Sequence, residues 1–224
     1  MVGVSALKIP DPAERGDLGS FVARVVRLDQ TAPVRLRAAD GRVAVWAPTP
    51  FDTLVTRSVH GTLEPGDLTA SASGLLTALA VERAETVDPG PGALWPGELP
   101  PDGGWYPVDD VPVAELERLT ERGLAVAKEN AGPHGPPTSL LDQVVLTVAP
   151  DPDRSPGAGP GRAAAVKVPM RCLFALSGMG FLGAVGDAGG DVVRVSATGS
   201  WLRLDARYGA VVRRRVTALP LLFG

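Results

Sequence analysis

The sequence predicts an α+β fold of two similar halves, each built around a β-α-β-β-β unit with an additional helix. Three observations carry this. Residues 6–47 slide forward by 159 positions onto residues 165–206 without a gap, and nine of the 42 aligned positions are identical: Ala6, Lys8, Pro10, Gly19, Val26, Val34, Arg35, Ala38 and Ala47 with their partners. Both copies carry strand, helix and hairpin signals in the same order. The 27 glycines and 22 prolines concentrate in the middle of the chain, where they mark connections.

In the first copy, residues 5–9 read as a short strand. Asp11-Pro12 reads as helix cap and first helical residue, with Glu14 at capping-box spacing. The helix runs to about Leu28, with Leu18, Phe21, Val22, Val25 and Leu28 on one face; Gly16 and Gly19 weaken it. Asp40-Gly41, both tolerant of positive φ, joins strands at 34–38 and 42–46, and a third strand covers about 53–60 after Pro48-Thr49-Pro50. The second copy repeats this pattern. It has a strand at 166–168, a helix over 170–182 opened by Pro169, strands at 192–197 and 201–206 around Thr198-Gly199-Ser200, and a strand at 210–216 entered through Tyr208-Gly209. Between the copies lie helices at 72–82 and 113–130, the latter with Val113, Leu116, Leu119, Leu124 and Ala127 spaced as a buried stripe, and a strand at 143–148.

Domains are expected over 1–95 and 96–224, with a Pro/Gly-rich linker at 88–104 and a mobile loop at 149–162. At 45% hydrophobic and 21% charged residues the composition is that of a globular protein. The single Cys172 excludes an intrachain disulfide and a multi-cysteine metal site. The N-terminal MVGVSALKIPDPAER has no basic region followed by a long apolar run, and no stretch reaches the roughly 18 apolar residues of a membrane span. A cytoplasmic protein without membrane contact is expected.

Charge is unevenly distributed. Residues 82–130 carry a net −7 and residues 160–224 a net +6, which an overall −3 conceals. The C-terminal strands hold Arg203, Arg207, Arg213 and Arg215 with Trp201 and Tyr208 among them, followed by the apolar tail that includes Leu222 and Phe223. These eight residues form the candidate interaction surface. A basic sheet with interleaved aromatics can hold a nucleic-acid strand; alternatively, the acidic and basic regions face one another.

Other motifs favour structural roles. Gly178-Met179-Gly180-Phe181-Leu182-Gly183 has the spelling of a dinucleotide fingerprint, but it falls at the far end of a helix instead of between a strand and a helix start. His60 with Ser58 and Asp52 lacks a nucleophile elbow, and His60 and His134 have no metal-ligand spacing. Asp109 and Asp110 precede a helix at about Val113 and read as capping charge. Cys172 reads as a buried structural thiol, and Trp46 as a core or sheet-covering residue. No catalytic, cofactor or metal-binding residue is expected.

The repeated unit is similar in pattern to half of a DNA sliding-clamp domain, helped by Asp67-Leu68-Thr69-Ala70 and Trp105-Tyr106-Pro107-Val108 before their helices. Through residues 49–55, 173–183 and 199–205 the whole chain also resembles a family of actinobacterial two-domain proteins with no assigned activity. That resemblance implies an actinobacterial cytosolic origin and supplies no catalytic residues. The leading expectation is a non-enzymatic binding or scaffold protein acting through contact with a protein partner or itself. Nucleic-acid binding through the basic C-terminal sheet is the second reading. An enzyme acting on a small molecule through Asp109, Asp110 or His60 is the third.

Overall fold

The structure, a computed structural model, describes residues 5–82, 85–90, 92–130, 137–150, 165–183 and 190–215. The elements are β1 (Ala6–Lys8), α1 (Pro12–Leu28), β2 (Pro33–Ala39), β3 (Arg42–Pro48), β4 (Leu54–His60), β5 (Thr62–Glu64), β6 (Asp67–Ser71), α2 (Ala72–Glu82) and β7 (Thr86–Val87) in the first half. The second half has β8 (Tyr106–Pro112), α3 (Val113–Glu129), α4 (Thr138–Asp142), β9 (Val144–Val148), β10 (Val166–Pro169), α5 (Met170–Gly178), β11 (Val192–Thr198), β12 (Trp201–Ala206) and β13 (Gly209–Arg214). No helix among the described residues is long and apolar enough to cross a membrane.

The two repeats join in one eight-stranded antiparallel sheet, ordered β6-β2-β3-β4-β13-β12-β11-β8. The order is palindromic. Each edge strand feeds a helix, β6 into α2 and β8 into α3, and each full unit fills the interior. Ala47 pairs with Val55, and its counterpart Ala206 pairs with Gly209, so Val55 corresponds to Gly209 and Thr56 to Ala210. Because Thr56 pairs with Ala210, a pseudo-two-fold axis passes through that pair. In the sheet the halves are joined through three residue pairs of β4 and β13: Ala210–Thr56, Val211–Val55 and Val212–Leu54.

Alternation along the strands explains the layering. Val43, Val45, Val55, Val193, Val195, Leu202, Leu204 and Val211 point to the helices and are buried, while Arg35, Arg42, Arg194 and Arg203 point the other way. α1 packs on α2 and α5 on α3, covering the apolar face. The α1 stripe is buried as its spacing predicts, apart from the partly buried Leu28, and Asp11 caps it by accepting from the Ala13 N–H at 2.7 Å. Glu14 does not close the capping box; its carboxylate takes the His60 backbone N–H and lies 2.6 Å from His60 Nδ1.

Aromatic contacts seal the helix side of the seam. Phe21 of α1 stacks on Phe181 with centroids 6.3 Å apart, and Phe51 meets Phe174 edge-on at 6.1 Å. Gly209, at φ 155°, sits above Phe181. A Cβ built on it would lie 2.5 Å from the ring and 2.9 Å from the Thr56 carbonyl oxygen.

Several expectations change. The helix expected over 170–182 ends at Gly178, because Gly180 turns the chain at φ 61° and Arg24 packs against it. On α3, Leu124 is 42% exposed; the buried positions are Val113, Leu116, Thr120, Gly123 and Ala127, with Gly123 leaving room for Met170 and Phe174 of α5. Asp109 and Asp110 are paired strand residues of β8 instead of caps, and α3 starts after Pro112 without a side-chain cap. The expected loop at 149–162 lies outside the described residues from 151 on, as do His134, Leu222 and Phe223.

Candidate interaction surface

One transverse row crosses the outer face of the sheet. Reading from edge to edge it is Thr69, Arg35, Trp46, Thr56, Ala210, Asp205, Arg194 and Asp110, each paired with the next. Arg203 and Ser196 pair in the adjoining row. This row places an indole, arginines and carboxylates on one face, drawn from strands far apart in the chain.

The connection between the halves lies across this face. Residues 92–105 form a strap that starts at β6, where Gly92 bridges Ala70 and the Ala93 N–H donates to the Thr69 carbonyl at 2.9 Å. Glu98 pairs with Arg214 at 3.1 Å, and Asp102 accepts two bonds from Arg37, at 3.1 and 3.2 Å. The Arg203 guanidinium lies 5.9 Å from the ring centroid of Trp105, whose Nε1–H donates to the Pro101 carbonyl at 3.0 Å. Both ion pairs are exposed, 64% and 73% for Arg214 and Glu98, so each contributes only about 0–1 kcal/mol. Among the described residues Trp95 Nε1 is buried with no partner, which costs about 1–3 kcal/mol. Between strap and sheet lies a cavity of about 510 Å3 lined by Trp46, Pro101, Asp102, Trp105, Arg194, Ser196, Arg203 and Asp205. Trp46 is 8% exposed although it points outward, because the strap lies over it.

The predicted surface residues do not share one face. Trp201 and Arg203 lie on the outer face; Arg203 is bonded to Asp205 at 2.8 Å. Arg207 and Tyr208 form the β12–β13 turn, with the guanidinium 5.5 Å from the ring centroid and 3.5 Å from Asp191. Arg215 follows β13 and donates its backbone N–H to Ser200. Arg213 points to the helix side and is only 13% exposed. There it meets Arg171 of α5, and both share Asp52 and Asp142; Arg171 also donates to the Phe51 carbonyl at 2.9 Å. This four-charge cluster fastens the 49–53 loop of one half to the other.

The acidic middle and the basic end therefore do meet, through Glu98–Arg214 and Asp110–Arg194. The Pro/Gly-rich linker predicted over 88–104 lies across the sheet face; Trp95 within it and Trp105 just after it are the sequence signal that this connection buries surface. At β6, the Arg35 guanidinium donates two 2.9 Å bonds to Asp67 and holds its carboxyl below the ordinary value of 3.8, against the opposing effect of burial.

The remaining motifs resolve into packing. Gly178 lies against Leu28 and Phe51, and the helix ends within the glycine motif, so no helix N-terminus faces a phosphate there. His60 is held by Glu14 and Arg42, whereas Asp52 belongs to the arginine cluster, so Ser58, His60 and Asp52 form no relay. Burial pushes the Cys172 thiol up to about 12, against the pull of Arg213 and Arg171. Among the described residues no group of three His, Cys, Asp or Glu side chains is placed to hold a metal.

Residues 100–218 match the family model described as domain of unknown function DUF8185, and residues 3–96 match a second, DUF8010. The chain belongs to the DUF8185 family. No curated protein matches this DUF8185 chain in sequence. Among solved structures it is similar to the Caulobacter crescentus β sliding clamp, with TM-score 0.58, 17% identity, and 97% of this chain on 67% of that one. The Bacillus subtilis DNA polymerase sliding clamp gives 0.58, 15%, and 97% on 66%. The Thermotoga maritima DNA polymerase III β subunit gives 0.54, 14%, and 96% on 65%. The DUF8185 chain thus has the sliding-clamp fold and spans about two thirds of the length of those subunits.

Proposed function

We propose that this chain is a non-enzymatic scaffold that works through protein–protein contact, using the outer face of its eight-stranded sheet. The observation that carries the reading is the furrow under the strap, where Trp46, Trp105, Arg194 and Arg203 converge from four separate segments. Tryptophan and arginine in a partly desolvated hollow are the residue types that dominate protein interfaces. The fold adds support, since its solved relatives are named as clamps of a DNA polymerase.

A nucleic-acid reading draws less support. Arg194, Arg203, Arg207, Arg213 and Arg214 each already face a carboxylate, which reduces the free positive charge a phosphate backbone would meet.

The test compares the intact chain with an Arg194→Glu/Arg203→Ala variant, altered only on the sheet, as bait in a lysate of the cells that carry it, alongside the mass of each in solution. A specific partner, or a second copy, is held by the first and lost by the second, with affinity weakened about 30-fold for a hot spot of about 2 kcal/mol. Identical recoveries and identical masses would refute the proposal.

A further inference from the structure

The geometry points to the strap as a displaceable occupant of the outer furrow, standing in for an extended acidic peptide that carries an aromatic residue. This rests on the outer face being the contact surface. The strap itself displays the chemistry the surface takes. Three arginines from three strands, Arg37 of β2, Arg203 of β12 and Arg214 of β13, receive in turn a carboxylate, an indole and a carboxylate. Two carboxylates and one tryptophan on three guanidinium groups are a complementary set, and they come from a segment of 14 residues, 92–105, with no regular structure apart from the bridge at Gly92.

The strap is also a poor ligand for its own seat. Both of its ion pairs are open to solvent, and salt screens such pairs. Leu94 is 94% exposed, and Trp95 buries an indole N–H with no acceptor among the described residues. Gly97 at φ 102° and Gly104 at φ 79° flank the stretch that carries Glu98 and Asp102, so the backbone can swing at both ends. Beneath it lies the cavity of about 510 Å3, bounded by Trp46, Ser196 and Asp205 on the sheet side. A partner with the same charges and a larger side chain for that space outcompetes the strap and uncovers Trp46.

The probe is a fluorescein-labelled peptide with the sequence of residues 92–105, titrated by anisotropy into the full chain and into a Glu98→Arg/Asp102→Arg variant. In that variant Arg214 and Arg37 repel the strap while the sheet is unaltered. Binding is expected to be about tenfold tighter or more to the variant than to the parent. A peptide with Gln and Asn in place of its Glu and Asp should bind about tenfold more weakly, and affinity should fall as salt rises from about 50 to about 500 mM. Hydrogen exchange of residues 92–105 in the parent should quicken over the same salt range while β3 and β12 stay protected, a readout that needs no variant.

Equal peptide affinity for parent and variant overturns the inference, as does exchange in the strap that ignores salt. A short single-stranded oligonucleotide that takes the furrow in place of the peptide overturns it too. Peptide binding without any captured partner leaves this inference standing and removes the scaffold proposal; partner capture without peptide binding does the reverse.

Discussion

Replacing Gly209 by Ala tests the seam between the halves. The added Cβ would stand 2.5 and 2.6 Å from two carbons of the Phe181 ring and 2.9 Å from the Thr56 carbonyl oxygen, where carbon atoms settle at about 3.5–4.0 Å. Something must move by about 1 Å, and neither a stacked ring nor a ladder carbonyl does so freely. Overpacking of this kind costs about 1–3 kcal/mol, and holding a side-chain-bearing residue at φ 155° adds about 1–3 kcal/mol. A total near 4 kcal/mol lowers Tm by about 10 °C for a chain of this length. Gly199→Ala is the internal reference: it also sits at positive φ (40°), but nothing lies within 4 Å of its added carbon. Differential scanning calorimetry of both variants isolates the clash. Adding Phe181→Leu should recover part of the loss in the Gly209→Ala background and none in the Gly199→Ala background. A Gly209→Ala protein that melts with Gly199→Ala would refute the packing of Phe181 beneath the seam.

Two further expectations concern ionisable groups. With its thiol pushed up to about 12 by burial, Cys172 should resist thiol reagents at neutral pH in the folded chain and react readily once denaturant is added; equal rates in both states would contradict its burial. Asp67 is held below its ordinary value by Arg35, so the folded state binds its proton less readily than the unfolded state. Its stabilising contribution is therefore complete above the unfolded value and is lost as pH falls through the lowered native one. Asp67→Asn should shift the urea midpoint at about pH 6 and converge with the parent at about pH 2; a gap that stays constant with pH would show that the Arg35 pair does not titrate in this way.

What the sequence revealed and what it hid divide along chemical lines. The repeat at a spacing of 159 correctly matched β1 with β10, β2 with β11 and β3 with β12, because strand period and hairpin glycine chemistry are local signals; Asp40 and Gly41 do turn at φ 51° and 72°. The α1 face was legible for the same reason. α5 was overextended because it is buried almost all round, from Met170 to Leu176, and so has no polar face to mark its phase and end. Strands of two or three residues, β5 and β7, are too short to show a period. The site was less legible still. Asp52, Asp142, Arg171 and Arg213 become neighbours only through the fold, and Glu98 meets Arg214 across 116 residues of sequence. A Pro/Gly-rich stretch announces an irregular connection; which surface it crosses depends on the strands it joins.

The three pairs that join β4 to β13 also set an order of events in time. Residues 54–56 wait for residues 210–212, so during synthesis the first half leaves the ribosome with Leu54, Val55 and Thr56 on an unpaired strand edge. At about 5–20 residues per second the missing strand arrives roughly 10–30 s later. Through that interval the nascent chain presents the apolar edge on which a neighbouring copy could dock, and β13 closes it when it is made.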